Sequence, residues 1–494
     1  MKAMKSTASR SSRATRTIIF GATIALCAGL VVLAQHVQPQ VDKLPAPVPG
    51  TPNFGSVAPR PDGAELKVPA GFTVSVYAEN IPTPRYMVYA PNGDLFVSSF
   101  AGNTITVLRD GKNVGTFAAR GAIAAPGGGT PAGGGAPRGP VPQAAGGAPG
   151  PVPAGGGGAP RGPAPQAAGG APRGGARGAP AATPLPVANP ASAVPCTNTT
   201  LPAGTVGINQ PQGMAFQNGY LYIANTDSVV RYKYTNGDTT AQGMPEKVTD
   251  LIGRGNHAWR NIIFNAAGTK MYVSVGSGSN NDAGEDCRRA AILEFNPDGT
   301  GGRIFASGIR NPEGLAWQPG VNNVLWTSVN ERDGYGDNLP PDYITSVKDG
   351  GFYGWPYSYT GQNYDPRYVG GMPDLVKKAL VPDVLIEAHS AAVGLAFYTG
   401  TQFPQRFRNG AFVGLHGSWN SSVAHGYKVI FVPFTNGKPG PTEDFLTGFV
   451  VDPAAVSKWG RPVGVTVARD GSLLVADDGG NKIWQVKYTG PAGR

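Results

Sequence analysis

The stretch GRGNHAWRNIIFNAAGTKMYVSVG, residues 253–276, decides how this chain is organised. Alternating apolar residues at 261–264 and again at 270–275 predict two strands, joined by a turn at Ala267–Gly268. His257 stands directly before the first strand. An imidazole at the mouth of a β-hairpin is a candidate general base, because its unperturbed pKa lies close to working pH.

The same strand–turn–strand unit occurs six times along the chain. The units begin at Arg85, Pro211, Arg260, Asn311, Ala392 and Pro462. Helical periodicity is nearly absent, and repeated strands of this kind protect their sheet edges by closing into a ring. The sequence therefore predicts an all-β, six-bladed β-propeller over residues 66–490, with the early strand 72–77 pairing into the last blade.

Two segments are too poor in apolar side chains to belong to the predicted ring. Residues 35–65 are rich in proline and predict an extended linker. Residues 121–190 are almost wholly Gly, Ala and Pro, and APRGPVPQAAGGAP at 136–149 returns nearly unchanged at 159–172. Such a segment cannot offset its ordering entropy, so it predicts a disordered insertion in a surface loop.

The N-terminus predicts export. Residues 1–34 combine basic residues without any acid with an apolar run that ends in Val32-Leu33-Ala34. This pattern is typical of a secretory signal peptide, and an uncleaved anchor that tethers the protein to a membrane is the alternative. Both place the folded part outside the cytoplasm, in the periplasm or secreted.

The positive net charge does not indicate a nucleic-acid partner. Of the formal charge of +10, five charges belong to the N-terminal segment and four to the acid-free insertion, which leaves +1 for the rest. No basic face remains for a phosphate backbone, so we expect no nucleic-acid binding. Beyond the N-terminal segment the chain holds two cysteines, Cys196 and Cys287, which pair in an oxidising compartment or stay as thiols.

Two loops carry most of the remaining polar candidates. Arg310 and Asn311, in ASGIRNPEGLAW, stand at the entry to a predicted inner strand, where a guanidinium and an amide can face a ligand in the central channel. The loop NERDGYGDNLPPDY holds four acids, Glu331, Asp333, Asp337 and Asp342. Acids with glycines in a loop suit calcium, although the spacing is not that of an EF-hand, and solvated acids are the alternative.

Three histidines lie near the fifth unit, at positions 389, 416 and 425. Their spacing matches no compact metal motif, so a histidine-held metal is not expected. His416, at the end of a strand, is predicted to be a polar channel residue.

Six segments taken together resemble a known family. They are HAWRNIIFNAAGTKMYVSVGS, GIRNPEGLAW, DGGFYGWPY, GLAFY, HGSWN and GRPVGVTVARDGSLLVADD. In this order they are similar to the glucose/sorbosone dehydrogenase family, nearest to its L-sorbosone dehydrogenase-like branch. The resemblance implies an exported six-bladed propeller that uses pyrroloquinoline quinone (PQQ) and calcium.

The resemblance also implies residue roles. His257 matches the family's catalytic base, and Arg310 and Asn311 match the pair beside the cofactor's quinone oxygens and carboxylates. His416 falls where the glucose enzymes have a lysine that contacts the cofactor, and Arg461 matches an arginine near a cofactor carboxylate. Glu331, Arg332, Asp333 and Gly334 fall where the family presents backbone carbonyls to calcium, although the loop there reads Glu-His-Gly-Pro in the glucose enzymes.

The resemblance implies oxidation of an aldose, sorbosone-like or related sugar, with electrons leaving to an external acceptor. A binding propeller without catalysis, specific for carbohydrate or protein, is one alternative. A lactonase-like hydrolase with a metal held by channel acids is another. The sequence leaves the sugar, the acceptor and the oligomeric state open.

Overall fold

The computed structural model of the chain describes residues 40–121, 200–253 and 255–490. In this part of the chain six four-stranded antiparallel sheets follow one another in sequence order. The strands of sheets 1 to 3 are Pro84–Tyr89, Leu95–Ser99, Thr104–Arg109 and Lys112–Ala119; Met214–Gln217, Tyr220–Ala224, Ser228–Lys233 and Glu246–Asp250; and Ile262–Phe264, Met271–Val275, Ala291–Phe295 and Arg303–Ser307. Those of sheets 4 to 6 are Pro312–Trp317, Leu325–Val329, Asp342–Ser346 and Val384–Ile386; Ala392–Phe397, Ala411–Leu415, Lys428–Val432 and Glu443–Leu446; and Pro462–Val467, Leu473–Asp477, Lys482–Tyr488 and Phe72–Glu79.

The six sheets form a closed ring. The first strand of each sheet contacts the first strand of the next, and the first strand of sheet 6 contacts that of sheet 1. The prediction that the early strand joins the last sheet is confirmed, because Phe72–Glu79 pairs with Lys482–Tyr488. This pairing ties the two ends of the ring together without leaving an open sheet edge. The architecture is that of a β-propeller.

The core lies between the sheets. Six clusters of buried apolar side chains occupy the interfaces between neighbouring sheets, including the interface that joins sheet 6 to sheet 1. The second strand of each sheet packs against a neighbour on both faces, so Leu95–Ser99 and Met271–Val275 are buried at every position. The turn predicted at Gly268 is present, with glycine in the left-handed region at φ 66°.

The inner strands carry a feature that prepares the site. In sheets 1, 4, 5 and 6 the pairing between the first and second strands shifts register directly after its first residue, which marks a β-bulge. Bulges change where side chains point. Arg85 and Glu313 each follow the proline that opens such a strand.

The remaining elements are short and lie between or beside the sheets. The strands are Ser56–Val57, Ser358–Tyr359, Asn363–Tyr364, Phe434–Thr435, Lys438–Pro439, Val450–Asp452 and Ser457–Lys458; the α-helix is Pro373–Val376; and the 3-10 turns are Val41–Lys43, Pro366–Tyr368 and Gln405–Phe407. In the predicted linker, Ser56–Val57 pairs in parallel with Ser457–Lys458. Among the described residues, none of the helical segments has the length and apolar character to cross a membrane.

The predicted N-terminal segment 1–34 lies outside the described residues, as does the predicted insertion 121–190 beyond its first residue. Both remain predictions from the sequence.

Candidate active site

His257 is oriented by the hairpin loop that faces it. Its Nδ1 lies 2.9 Å from both the carbonyl oxygen and the Oγ of Ser277. The Ser277 hydroxyl donates to Ser279 O at 2.6 Å, so both Ser277 oxygens act as acceptors toward Nδ1. The proton therefore sits on Nδ1, and Nε2, which makes no hydrogen bond to the described residues, keeps its lone pair.

His257 is neutral at ordinary pH. The surrounding protein and the charge of Arg310 lower the pKa of the imidazole to about 3. Burial and a nearby cation both disfavour the imidazolium form. The uncharged imidazole has an unused Nε2 lone pair to offer to a hydroxyl proton, although a pKa of about 3 makes it a weaker base than a free imidazole.

Gly276 allows His257 and Asn311 to approach each other. A Cβ at this glycine would lie 2.3 Å from Asn311 Oδ1 and 2.5 Å from His257 Cβ. Contacts that short do not occur, so a side chain larger than hydrogen would push one of the two residues away. Gly276 thus keeps His257 in its place.

Arg310 lies in the same region as His257, as predicted. Its backbone carbonyl accepts from Ser277 N at 2.8 Å, and its charge acts on the His257 ring. The guanidinium is buried and donates to Asn280 O at 3.0 Å, to Glu331 O at 2.6 Å and to Asp333 Oδ2 at 3.2 Å. Arg310 therefore connects the loops that frame the mouth of the ring and supplies positive charge beside the base.

Asn311 lies beneath the site rather than at its surface. The side chain is buried, its Nδ2 donates to Glu313 Oε1 at 2.7 Å, and its Oδ1 packs against Gly276. Glu313 also accepts from Asn330 Nδ2 at 2.9 Å, and its other oxygen has no partner among the described residues. Burial raises the pKa of Glu313 to about 8. Asn311 therefore supports the His257 loop.

On the opposite side of the ring, His416 and Arg461 lie together. His416 Nε2 donates to Asp478 at 2.9 Å, and Arg461 Nε donates to the His416 carbonyl at 3.2 Å. Burial and the charge of Arg461 lower the pKa of His416 to about 3, so the histidine is neutral. The two Nη groups of Arg461 make no hydrogen bond within the described residues and are available to an anion.

Arg85, Trp259 and Asp478 are functional candidates that sequence reasoning missed. Arg85 forms an ion pair with Asp478 at 3.0 Å, and its guanidinium carbon lies 3.7 Å from the centre of the Trp259 ring. Burial would raise the pKa of Asp478, but Arg85 and His416 hold it below its usual range. One signal was available, since an arginine after the opening proline is out of place in a strand that otherwise buries apolar residues.

The predicted calcium loop has a different internal arrangement from the one expected. Glu331 and Arg332 are fully buried and paired at 2.9 Å, and Arg332 also pairs with Asp365 at 2.8 Å. The Glu331 carbonyl is occupied by Arg310. The side chains of Glu331 and Arg332 are thus not placed as ligands, because each is neutralised by a protein partner.

The other members of this loop are also engaged. Asp333 pairs with Arg310 and lies 3.2 Å from His389 Nδ1, while Gly334 donates its N–H to Asn420 Oδ1 at 2.8 Å. The four acids of this loop do not converge on one point, since Glu331 pairs with Arg332, Asp333 with Arg310, and Asp337 and Asp342 accept hydrogen bonds from Ser422 N and Ala391 N. Calcium at this loop stays a prediction. No group of three or more His, Cys, Asp and Glu side chains is placed to hold a metal in the described ranges. A cation in this loop would have to use backbone oxygens.

Cys287 is disulfide-bonded. The second predicted partner, Cys196, lies outside the described residues. A disulfide is typical of a compartment more oxidising than the cytosol.

A shallow depression borders the loop that carries His257. Four polar side chains line it, together with backbone at Gly253, Gly255 and Ala258; they are Asn209, Gln210, Thr226 and Asp227. Amide, hydroxyl and carboxylate groups of this kind can form hydrogen bonds with the hydroxyls of a sugar.

Comparisons with known proteins agree with the geometry. Residues 220–419 match the family model described as Glucose / Sorbosone dehydrogenase, and residues 376–489 match a model described as TrAA12-like. An uncharacterized protein of Borreliella burgdorferi is 31% identical over 297 residues, which cover 57% of this chain and 76% of the relative. The aldose sugar dehydrogenase YliI of Escherichia coli is 28% identical over 198 residues, 37% of this chain and 50% of that protein.

Solved structures with the same fold are more distant in sequence. The holo PQQ domain of the pyranose dehydrogenase from Coprinopsis cinerea gives a TM-score of 0.57 at 17% identity, over 87% of this chain and 98% of that one. The calcium structure of the Trichoderma reesei family AA12 enzyme gives a TM-score of 0.58 at 17% identity, over 88% of this chain and 99% of that one. At this identity the likeness establishes the β-propeller fold. The family-model match and the Borreliella relative show that this chain belongs to the glucose/sorbosone dehydrogenase family, a family of oxidoreductases.

Proposed function

We propose that this protein is a PQQ- and calcium-dependent dehydrogenase that oxidises an aldose, sorbosone-like or related sugar, with His257 as the general base. The observation that carries the proposal is the neutral His257, whose Nδ1–H is held by Ser277 while Nε2 remains unused beside the cationic Arg310. A dehydrogenase needs such a base to take the hydroxyl proton of the sugar as the carbon gives up its hydride.

The residues of the ring fit an acidic, flat cofactor. The Nη groups of the partly buried Arg461 make no hydrogen bond to the described residues, and a carboxylate ligand would give them acceptors. Arg85 has Nε and Nη1 buried without a partner in the same part of the chain, which leaves positive charge beside this end of the ring. When bound, PQQ supplies the acceptor for the hydride and hence the redox chemistry.

The chain's own residues divide the remaining work. His257 accepts the hydroxyl proton at Nε2, and the Ser277 oxygens accept the Nδ1–H and so fix the tautomer. Arg310 acts on the site through its charge alone, because its guanidinium nitrogens donate to Asn280, Glu331 and Asp333, and that charge keeps the His257 imidazole neutral. The polar depression at Asn209, Gln210, Thr226 and Asp227 would orient the sugar.

We include calcium in the proposal because the structures of similar proteins include a calcium form, and because the carbonyl oxygens of Arg332 and Gly334 accept no hydrogen bond from the described residues, whereas those of Glu331 and Asp333 do. No step depends on it here, since the loop's carboxylates are paired within the protein.

We also propose that the protein acts in the periplasm or after secretion, with an external electron acceptor. The basic-then-apolar pattern of residues 1–34 and the disulfide at Cys287 support this location.

Reconstitution tests the proposal. Metal-free apo-protein is titrated with PQQ in the presence of Ca²⁺ or of EGTA, and dye reduction is then followed over a panel of aldoses, sorbosone-like aldehydes and lactones. We expect cofactor uptake and sugar-dependent dye reduction, while the matched H257A variant takes up PQQ without turnover. A folded protein that takes up no PQQ would favour a binding propeller, and lactone cleavage without PQQ would favour a hydrolase.

A further inference from the structure

Arg260 is a buried arginine without a carboxylate partner among the described residues. It follows the loop that carries His257 and is 1% exposed. The carboxylates of Asp227 and Glu313 act on it only through their charges. Burial and the charge of Arg289 lower the pKa of the guanidinium to about 9, so it remains a cation at neutral pH. Burial of a charge without an ion-pair partner is costly, which calls for a compensating role.

The guanidinium donates to three backbone carbonyls of a single loop. Nη1 donates to His257 O at 2.9 Å and to Trp259 O at 2.6 Å, and Nη2 donates to Ile252 O at 2.7 Å. The acceptors include the backbone of the proposed base itself and lie toward both ends of the loop. Because the two Nη groups belong to one planar fork, they hold these carbonyls in a single relative placement.

Arg260 and Ser277 fix different parts of His257. The oxygens of Ser277 accept the Nδ1–H and so orient the ring, and the Ser277 carbonyl also accepts from His257 N at 3.3 Å. Arg260 holds the carbonyl on the other side of the same residue. The N–H and the C=O of His257 are thus both fastened, so the place of Nε2 depends on both partners.

No other side chain reproduces this fork. Lysine keeps the charge but ends in one nitrogen, which cannot span carbonyls placed at both ends of the loop. Glutamine carries one NH₂ group on a shorter side chain and has no charge. Either replacement leaves buried carbonyls without donors, which favours a shift of the loop.

We infer that Arg260 is a positioning residue for the base, because its guanidinium fork fixes the backbone at residues 252, 257 and 259 and thereby the place of His257 Nε2. This inference rests on the proposed function, which makes His257 the base. It predicts that the orientation of His257 is lost when the fork is lost, with or without cofactor.

The first test follows the His257 ring in the absence of PQQ. Protein labelled with ¹⁵N-histidine is examined by NMR; the chain has five histidines, and H257A identifies the His257 signals. In the wild-type protein we expect the signals of a single Nδ1–H tautomer. R260Q and R260K should each shift these signals toward a mixture of tautomers, because a displaced loop loses the Ser277 contact.

The second test separates catalysis from cofactor binding. R260Q should lower kcat/KM for the sugar about tenfold to a hundredfold, as expected for a misplaced catalytic group. Its dissociation constant for PQQ, measured with Ca²⁺ present, should stay within about threefold of the wild-type value. R260K keeps the charge, so a similar loss in R260K assigns the effect to the fork. R260K also decides the test should R260Q fail to fold.

The matched control is R408Q. Arg408 likewise donates to two backbone carbonyls, Thr401 O at 3.0 Å and Phe403 O at 3.4 Å. It lies in the connection between the first two strands of sheet 5, whereas His257 stands before the first strand of sheet 3. R408Q should therefore lower the urea midpoint at most, with wild-type His257 signals and wild-type kinetics.

The outcomes are distinguishable. Unchanged His257 signals and unchanged kcat/KM in R260Q would overturn the inference, and so would a loss of stability alone, as in the control. Wild-type behaviour of R260K would overturn the role of the fork and assign the effect to charge. A wild-type protein that takes up no PQQ would refute the proposed function, and the NMR comparison would still decide whether Arg260 holds His257.

Discussion

Acidification gives a quantitative test of the environment of His257. The imidazole is held at a pKa of about 3 by burial and by Arg310, against an ordinary value of 6.5. At pH 5 a histidine with a pKa of 3 is still about 99% neutral, whereas an unperturbed histidine would be only about 3% neutral. We therefore expect no loss of kcat/KM from this group between pH 7.5 and pH 5. An unperturbed base would lose about thirtyfold over the same range.

The assay is the initial rate of dye reduction by the reconstituted enzyme at low sugar concentration, from pH 4.5 to 8.5, with folding checked by tryptophan fluorescence at every pH. Other buried groups titrate within this range, namely Asp342 with a pKa of about 7 and Glu313 with a pKa of about 8. The E313Q variant separates the Glu313 contribution from that of the base. An acidic limb near pH 6.5 that persists both in E313Q and in D342N would refute the assignment of a strongly depressed His257.

Three further predictions concern the residues around the base. Burial raises the pKa of Glu313 from 4.5 to about 8, so the folded protein holds this proton more tightly than the unfolded chain. The contribution of Glu313 to stability is therefore fully present below pH 4.5 and is lost as the pH rises to 8, and E313Q should remove this part of the pH dependence of urea unfolding, on the order of 4 kcal/mol. D478N should lower the free energy of unfolding by about 3–5 kcal/mol at pH 7, because it leaves the charge of Arg85 buried and unpaired, and an unchanged urea midpoint would contradict this. G276A should reduce kcat/KM about tenfold to a hundredfold by displacing His257, with PQQ affinity kept within about threefold, and normal kinetics would show that the close approach at Gly276 is not needed.

The repeated pattern in the sequence predicted the ring well. Each strand–turn–strand unit of the sequence supplies the first two strands of one sheet, so the six units correspond to the six four-stranded sheets. The alternation within each strand indicates which residues face a neighbouring sheet. The predicted strands at 261–264 and 270–275 are Ile262–Phe264 and Met271–Val275. Several outer strands were less evident because they are partly exposed, as the pattern of Glu246–Asp250 shows.

The site was predictable only in part, for a physical reason. His257 and Arg310 could be placed together because each stands at the entry to an inner strand, and ring closure brings such entries to one end. The contact between Arg85 and Asp478 joins sheet 1 to the end of sheet 6, and no local spacing encodes it. The burial of Arg332 was equally hidden, because its partner Asp365 lies in a separate loop.

The most direct test of the central proposal is anaerobic mixing of the PQQ-loaded protein with sugar, with cofactor reduction followed by absorbance in a single turnover. The wild-type protein and H257A are compared at equal cofactor occupancy. We expect H257A to bind PQQ with unchanged affinity. Its bound cofactor should be reduced about 10²–10⁴ times more slowly than in the wild-type protein, which is the usual contribution of a general base. Reduction of the cofactor in H257A at the wild-type rate would contradict the assignment of His257 as the residue that takes the substrate proton.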